Sequence, residues 1–240
     1  MIFHINPACW QHYPQDALQE LMAEHLLLFP DFTPTKDMIS PQISPVQRKD
    51  HPYTDPWRCI WTTKEDGITG TVTHHPLADW AAFDTYQPPD PEKTDGLTLN
   101  NWDEIAEDFR QKKEKGELIQ AGLRHGHTFL QLCDIRGYQS LLYDMADDEP
   151  RLHQLIQIVE DFNLALVKKY IQLGAEWMSY PEDLGMQKGP MLSPKQFREY
   201  IQPSYRRLMQ PAKDAGCIVH MHSDGDIRTL ADDLDRKSVV

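Results

Sequence analysis

From residue 100 to residue 222 the chain alternates short apolar runs with longer amphipathic patterns, and this alternation restricts the fold more than any other feature. The apolar runs 118–123, 175–180 and 217–221 have the length of buried strands. Stripes of apolar side chains at helical spacing separate these runs. Because strands separated by helices pair in parallel and are covered by those helices, we predict an α/β fold with a parallel sheet.

Capping signals mark the ends of the predicted helices. Asn101 is suited to cap the first helix and Gly116 to end it. Pro150 lies near the start of the second helix, and Gly174 lies just beyond its end. Ser193 precedes a Pro and, three residues on, a Gln, which is typical of the start of a third helix.

Two architectures satisfy this order of elements, a doubly wound sheet and a (βα)8 barrel of the TIM type. A glycine-rich phosphate loop is expected of the doubly wound nucleotide-binding fold, and none follows a predicted strand here. We therefore favour the barrel and assign residues 99–240 to it.

We assign residues 1–98 to a separate N-terminal layer, because residues 30–98 are rich in Pro, Thr and Asp and contain few helical patterns. The segments 57–63 and 68–73 predict two strands joined by a turn at Gly67, which is a β-hairpin. Apolar residues at helical spacing predict an amphipathic helix over 15–29. We expect the helix and the hairpin to form an irregular layer packed on the barrel, within one structural domain.

Charge and composition narrow the range of partners and compartments. The formal net charge of −13 disfavours a nucleic-acid surface, because phosphate binding needs clustered Lys and Arg side chains. Apolar runs such as 26–29 are too short to span a bilayer. No signal peptide is visible, and the cysteines Cys9, Cys59, Cys133 and Cys217 form no CxxC pair. We expect a cytoplasmic protein with free thiols that binds neither nucleic acid nor a membrane.

Polar residues follow the second and third predicted strands, at 181–187 and 220–226. In parallel βα folds the working residues lie just past the carboxyl ends of the strands. His220 and His222 are two residues apart on a strand, so both imidazoles point to the same side. With Asp183 from the neighbouring strand they form a predicted zinc site. In the alternative interpretation, one His bonds the backbone and the other is a solvated loop residue.

The same two segments supply the predicted catalytic residues, which are Asp183, His222 and Asp224. The stretch 224–226 has an alternative role, because it could turn the chain and cap the following helix. For Asp226 we favour the capping role. Asp183 has no such role, since the next helix is capped ten residues later by Ser193.

Further polar residues near predicted strand ends are candidates for binding a substrate. They are His75, His125, His127 and Gln187. For the pair at 125 and 127 we favour a solvent-exposed loop over a binding role, because a glycine separates the two imidazoles. No nucleophile elbow, P-loop or CxxC motif is present, so acyl transfer, phosphoryl transfer and dithiol redox chemistry have no support.

Seven short segments carry a family resemblance through their joint order. They are 61–67 (WTTKEDG), 75–80 (HPLADW), 136–137 (RG), 143–145 (YDM), 183–187 (DLGMQ), 192–194 (LSP) and 220–225 (HMHSDG). Together they resemble the uroporphyrinogen decarboxylase superfamily, especially its methyltransferase-like branch. The resemblance runs from about residue 57 to residue 226, and it implies a (βα)8 barrel.

The resemblance implies two alternative chemistries. The decarboxylases act on uroporphyrinogen without a metal and use an arginine-rich N-terminal motif, whereas Arg48 is the only Arg in the first fifty residues here. The methyltransferase branch uses zinc to activate a thiol for methyl exchange with a corrinoid protein. Its metal motif is His-x-Cys followed by a downstream Cys, and this chain has His220-x-His222 and no later Cys.

We therefore expect zinc-assisted methyl transfer that involves a corrinoid or a small methylated substrate. One alternative is metal-free decarboxylation of a tetrapyrrole acid, with Asp183 or Asp224 holding the pyrrole NH groups. The other is a non-catalytic, truncated binding protein. Residues 226–240 leave room for one short helix, so the barrel is expected to be incomplete at its C-terminus. Exposed strand edges in such a barrel favour association into a homo-oligomer.

Overall fold

The computed structural model describes residues 3–234, and the chain divides into two compact units. The first unit is built from the residues up to Thr54 together with Cys59–His74. The second is built from Asp55–Arg58 and the residues from His75 onward. The residues 75–98, which the sequence pattern places in the N-terminal layer, thus belong to the second unit.

The first unit contains two short helices and a small antiparallel sheet. The helices are α1 (Cys9–His12) and α2 (Gln15–Glu24), a 3₁₀ turn covers Pro45–Gln47, and the strands are β1 (Tyr53–Thr54), β2 (Ile60–Thr62) and β3 (Thr71–His74). The predicted hairpin is present as β2 and β3, which pair antiparallel. The predicted helix over 15–29 ends at Glu24, and turns follow it.

The second unit contains most of the secondary structure. In chain order it has a 3₁₀ helix (Trp80–Thr85), α3 (Trp102–Lys115), β4 (Gln120–Gly122), α4 (Phe129–Arg136), α5 (Tyr138–Asp147), α6 (Pro150–Gln172), β5 (Trp177–Pro181), β6 (Gly185–Met186), β7 (Gly189–Pro190), α7 (Pro194–Gln196), a π-helical turn (Phe197–Ile201), α8 (Gln202–Asp214), β8 (Ile218–His222), a 3₁₀ turn (Arg228–Leu230) and α9 (Ala231–Leu234). None of the helices in residues 3–234 combines the length and the apolar character needed to cross a lipid bilayer.

A parallel sheet with the strand order β4-β5-β8 organises this unit. Its three strands coincide with the three apolar runs of the sequence, so the predicted α/β fold with a parallel sheet is confirmed. The register places Ser179 of β5 between Gly122 of β4 and His220 of β8. The described part of the chain contains these three parallel strands and not a closed eight-stranded barrel.

The two faces of the parallel sheet have different environments. Met178 and Tyr180 are fully buried, and the Tyr180 hydroxyl donates to the Leu208 carbonyl of α8 at 3.0 Å. The opposite face carries Trp177, Ser179, His220 and His222, and on β8 its side chains are exposed. The alternation of side chains along a strand therefore puts both histidines of β8 on the open face.

The predicted helix ends agree with the structure. Asn101 accepts the Glu104 N–H at 3.4 Å, and Gly116 ends α3 in the left-handed conformation at φ +70°. Ser193 and Gln196 form a reciprocal capping box at the start of α7. The helices α4 and α5 were not predicted. For α4 the reason is that it is buried on several sides and has no single apolar stripe.

A buried ion pair joins α4 to α5. Arg136 donates from Nε to Asp144 Oδ2 at 2.7 Å and from Nη2 to Oδ1 at 3.2 Å. The Trp80 indole N–H donates to Asp144 Oδ1 at 3.1 Å, and the Arg136 guanidinium lies 4.6 Å from the centre of the Trp80 ring. Arg136 also donates to the Leu77 carbonyl at 2.8 Å. Three of the segments that carry the family resemblance therefore meet in one cluster.

We predict that Arg136→Ala lowers the free energy of unfolding by about 3–5 kcal/mol, because it leaves the buried Asp144 carboxylate without its cation. Urea unfolding followed by circular dichroism measures the change. The matched control is Arg110→Ala, which removes an arginine paired with Glu107 and Glu114 on the exposed face of α3 and is expected to change stability little. Equal losses in the two variants would show that the buried pair contributes no more than an exposed one.

Candidate active site

The carboxyl ends of the three parallel strands meet at one edge of the sheet, and backbone hydrogen bonds continue beyond the strands. The Gly126 N–H donates to the Pro181 carbonyl at 2.9 Å, which holds the loop after β4 against β5. The Glu182 N–H donates to the His222 carbonyl at 3.0 Å, which holds the loop after β5 against β8. The polar segments that follow the strands are therefore fixed beside one another.

The loops after β5 and β8 approach each other closely at two glycines. The Gly185 N–H donates to the Asp224 carbonyl at 3.2 Å, and the Asp226 N–H donates to the Met186 carbonyl at 2.8 Å. A Cβ atom built on Gly225 would lie 2.3 Å from the carbonyl carbon of Gly185, so neither position has room for a side chain. Gly225 also has φ +80°, which favours glycine.

Three side chains from these loops converge at the edge of the sheet. His125 Nε2 lies 3.2 Å from Asp183 Oδ2, and His222 Nε2 lies 3.8 Å from Asp183 Oδ1. One donor atom from each of the three residues lies within 4.8 Å of the others. All three side chains reach solvent, with exposed fractions of 52%, 30% and 45% for His125, Asp183 and His222.

The chemistry of this donor set fits a zinc ion. Imidazole nitrogen and carboxylate oxygen are common zinc ligands, and donors about 2 Å from one ion lie roughly 3–4 Å apart in tetrahedral geometry. The two separations between Asp183 and the histidines, 3.2 and 3.8 Å, are in this range. Three protein ligands leave a fourth position open, as in catalytic zinc sites.

Asp224 is a further carboxylate next to this group. Its Oδ1 lies 3.5 Å from His222 Nε2, and its side chain is 79% exposed. Its own backbone N–H donates to Asp183 Oδ1 at 2.8 Å, which fixes the orientation of the Asp183 carboxylate. The predicted catalytic residues Asp183, His222 and Asp224 therefore lie in contact.

Glu182 lies behind the group and is completely buried. Its carboxylate accepts the N–H groups of Thr128 at 3.0 Å, Phe129 at 2.9 Å and Leu130 at 3.1 Å, which are the first free donors of α4. The Tyr205 hydroxyl also donates to it, at 3.1 Å. Burial raises the pKa of Glu182 above its ordinary value, and these four hydrogen bonds oppose the rise.

His127 is buried, with 1% of its surface exposed, so the expectation of an exposed loop holds for His125 alone. Its Nδ1 lies 2.6 Å from Thr128 Oγ1, and its carbonyl accepts the Asn163 side-chain amide at 2.6 Å. Burial lowers the pKa of His127 to about 3, so its imidazole is neutral near pH 7. In this structure it is inaccessible to a substrate.

The other predicted site residues lie outside the converging group. His220 is two residues before the end of β8, where its Nδ1 lies 3.1 Å from Ser179 Oγ and its ring packs beside Trp177. His75 Nδ1 lies 2.8 Å from the Asp134 carbonyl. Gln187 is exposed at the turn between β6 and β7. The metal role of His220 and the substrate roles of the other residues stay predictions.

Sequence reasoning did not assign His125 to the metal group, and it gave no role to Glu182. A signal for His125 exists in its position, because it follows β4 at the edge where Asp183 follows β5. Glu182 also has a signal in its position, because it continues the alternation of the apolar Met178 and Tyr180, whereas Asp183 falls on the opposite face. That Glu182 is buried and Asp183 is partly exposed follows from the alternation of side chains at the end of β5.

Comparisons with known proteins identify related chains. A family model described as uroporphyrinogen decarboxylase (URO-D) matches residues 62–238. No curated protein matches the chain by sequence. Among solved structures, a methyltransferase from Methanosarcina mazei is similar with a TM-score of 0.59 and 15% sequence identity. The match covers 97% of this chain and 63% of that protein, so the chain spans less than two thirds of its length.

We predict that Gly225→Ala is more destabilising than Gly216→Ala. Both glycines have φ close to +80°, where an alanine costs about 1–2 kcal/mol. A Cβ on Gly216 meets no atom within 4 Å, whereas one on Gly225 meets the Gly185 backbone and adds about 1–3 kcal/mol of overpacking. Chemical unfolding of both variants measures the difference. Similar stabilities would contradict the close approach of the two loops.

Proposed function

The chain belongs to the uroporphyrinogen decarboxylase family, and on that basis we propose that it is a zinc-dependent enzyme that transfers a methyl or other one-carbon group. The observation that carries the proposal is the convergence of His125, Asp183 and His222 at the carboxyl edge of the parallel sheet. Similarity to a solved methyltransferase supports this branch of the family. The three parallel strands are proposed to form part of a (βα)8 barrel.

In the proposed site the two imidazoles of His125 and His222 and the carboxylate of Asp183 bind zinc. Zinc, when bound, lowers the pKa of a thiol or water in its open position and so supplies a nucleophile at neutral pH. The methyl donor in this proposal is a corrinoid or a small methylated compound. This ligand set contains no thiolate, so it leaves the metal less electron-rich than a cysteine-containing set does.

Asp224 has the position of a proton acceptor in this scheme. It approaches His222 Nε2 to 3.5 Å while most of its side chain remains in solvent. A proton released from a thiol or water at the site could pass to this carboxylate and from there to bulk water. Asp183, whose Oδ1 already accepts the Asp224 N–H, is assigned the role of a fixed ligand.

The alternative function is decarboxylation of a tetrapyrrole acid without a metal. The specific observation in its favour is that two carboxylates, Asp183 and Asp224, reach solvent side by side at this edge. Carboxylates accept hydrogen bonds from pyrrole N–H groups, and an ionised acceptor strengthens such bonds. Under this alternative the histidines would have no metal to bind.

The proposal predicts about one zinc ion per chain and a ligand set that contains His125 but not His220. His125→Ala and Asp183→Asn should each weaken zinc binding by more than about 100-fold, which is the upper cost of changing a residue that only supports a ligand. His220→Ala is the matched control and should retain wild-type affinity, because its imidazole lies beside Ser179 outside the group. Mass spectrometry of metal content and competition titrations with a chelating dye provide the measurement. If only the His220 variant loses zinc, the proposed ligand set is wrong and His220 is a ligand.

Activity distinguishes the two chemistries. The zinc-loaded chain is incubated with methylcobalamin and a small thiol, and demethylation is followed by the change in corrinoid absorbance. We expect turnover in the wild type and in His220→Ala, and its loss in Asp183→Asn. A parallel assay uses uroporphyrinogen with the metal-free chain. Decarboxylation there, without zinc binding or methyl transfer, would establish the alternative function instead.

A further inference from the structure

The three proposed zinc ligands lie after β4, after β5 and at the end of β8, and one buried residue is connected to all three of these segments. Glu182 is the chain neighbour of Asp183, and its backbone N–H donates to the His222 carbonyl at 3.0 Å. Its side chain bonds the N–H groups of 128–130, which begin three residues after His125. The loops after β4, β5 and β8 are thus connected through this residue.

The Glu182 carboxylate has no exposure to water, so its hydrogen bonds must compensate for lost hydration. Three of them come from the N-terminus of α4, where the helix dipole favours a negative charge. The fourth comes from the Tyr205 hydroxyl, which approaches from α8 at 3.1 Å. All four partners donate a hydrogen bond, so the side chain at position 182 must accept hydrogen bonds through both of its terminal atoms.

A glutamine at this position would have nearly the same shape but different chemistry. Its amide nitrogen is a donor, and it would face either the Leu130 N–H or the N–H groups of Thr128 and Phe129. At least one backbone donor of α4 would then be buried without an acceptor. The link between β5 and the start of α4 therefore depends on the carboxylate and not on side-chain volume.

We propose that Glu182 is a positioning residue that holds His125 opposite Asp183 and His222 and thereby sets the geometry of metal binding. The inference rests on the zinc site of the proposed function. Glu182 acts through the start of α4, since His125 lies in the short loop between β4 and that helix, next to Gly126, whose N–H donates to the Pro181 carbonyl. It does not itself reach the site.

The test is Glu182→Gln, compared with Glu160→Gln as the matched control. Glu160 is also a buried carboxylate; it lies on α6 and pairs with Arg207 of α8. We expect Glu182→Gln to weaken zinc affinity about 10–100-fold, as for other outer-shell partners. We expect Glu160→Gln to leave zinc affinity within about twofold of wild type, even where it lowers stability.

Two further measurements separate positioning from a general loss of structure. The visible spectrum of the cobalt-substituted protein reports ligand geometry, and it should change in Glu182→Gln but not in Glu160→Gln. Amide hydrogen exchange at 128–130 of the metal-free chain should be faster in Glu182→Gln alone. Tyr205→Phe removes one of the four hydrogen bonds and should give a smaller loss of zinc affinity. This variant replaces Glu182→Gln in the test if the glutamine variant does not fold.

The outcomes are distinguishable. Wild-type affinity and wild-type exchange in Glu182→Gln, or an equal loss of affinity in Glu160→Gln, would overturn the positioning role. If Glu182→Gln does not fold, wild-type affinity in Tyr205→Phe would overturn it as well. If the wild-type chain binds no zinc, the proposed function fails. In that event, amide hydrogen exchange at 128–130 still shows whether Glu182 holds the loop between β4 and α4 beside β5.

Discussion

The hydrogen bonds of the Glu182 carboxylate are the interaction on which the rest of the site depends. A buried carboxylate is costly unless its acceptor capacity is used, and here the N-terminus of α4 and the Tyr205 hydroxyl use it. The same contact gives α4 an acceptor for three of its free N–H groups. One residue therefore accepts the free N–H groups at the start of α4 and fixes the end of β5. It also connects the segments that carry the candidate ligands.

Motifs that are separate in the sequence are contacts in the fold. Arg136, Asp144 and Trp80 belong to three of the segments that carry the family resemblance, and they form one buried cluster. The DLGMQ and HMHSDG segments meet at Gly185 and Gly225, where the two backbones leave no space for a Cβ atom. The motifs thus supply parts of one unit that contact one another. The cluster explains why an arginine, an aspartate and a tryptophan occur at these positions, since no single helix requires them.

The candidate site differs from the arrangement that the family resemblance implies. A His-x-Cys pair would place two ligands on one strand, whereas the structure groups one histidine of β8 with an aspartate after β5 and a histidine after β4. His220 lies two residues before the end of its strand, where its imidazole lies beside Ser179 and Trp177. A ligand set of nitrogen and oxygen atoms from two loops and a strand end depends on how these segments are held together, and the buried Glu182 is connected to all three.

The sequence by itself determined the three parallel strands, the ends of the helices that flank them, the hairpin and the family, because these depend on local periodicity, on capping residues such as Asn101 and Ser193, and on short motifs. It also indicated that Asp183, His222 and Asp224 lie at one edge of the sheet, since parallel strands end together. Only the tertiary structure decided that His125 joins them, that His127 is buried and that the Glu182 carboxylate accepts the free N–H groups of α4. Helix α4 likewise was not predicted, because a helix that is buried on several sides has no single apolar stripe. These features arise from contacts between residues far apart in the chain, and no local pattern encodes such contacts.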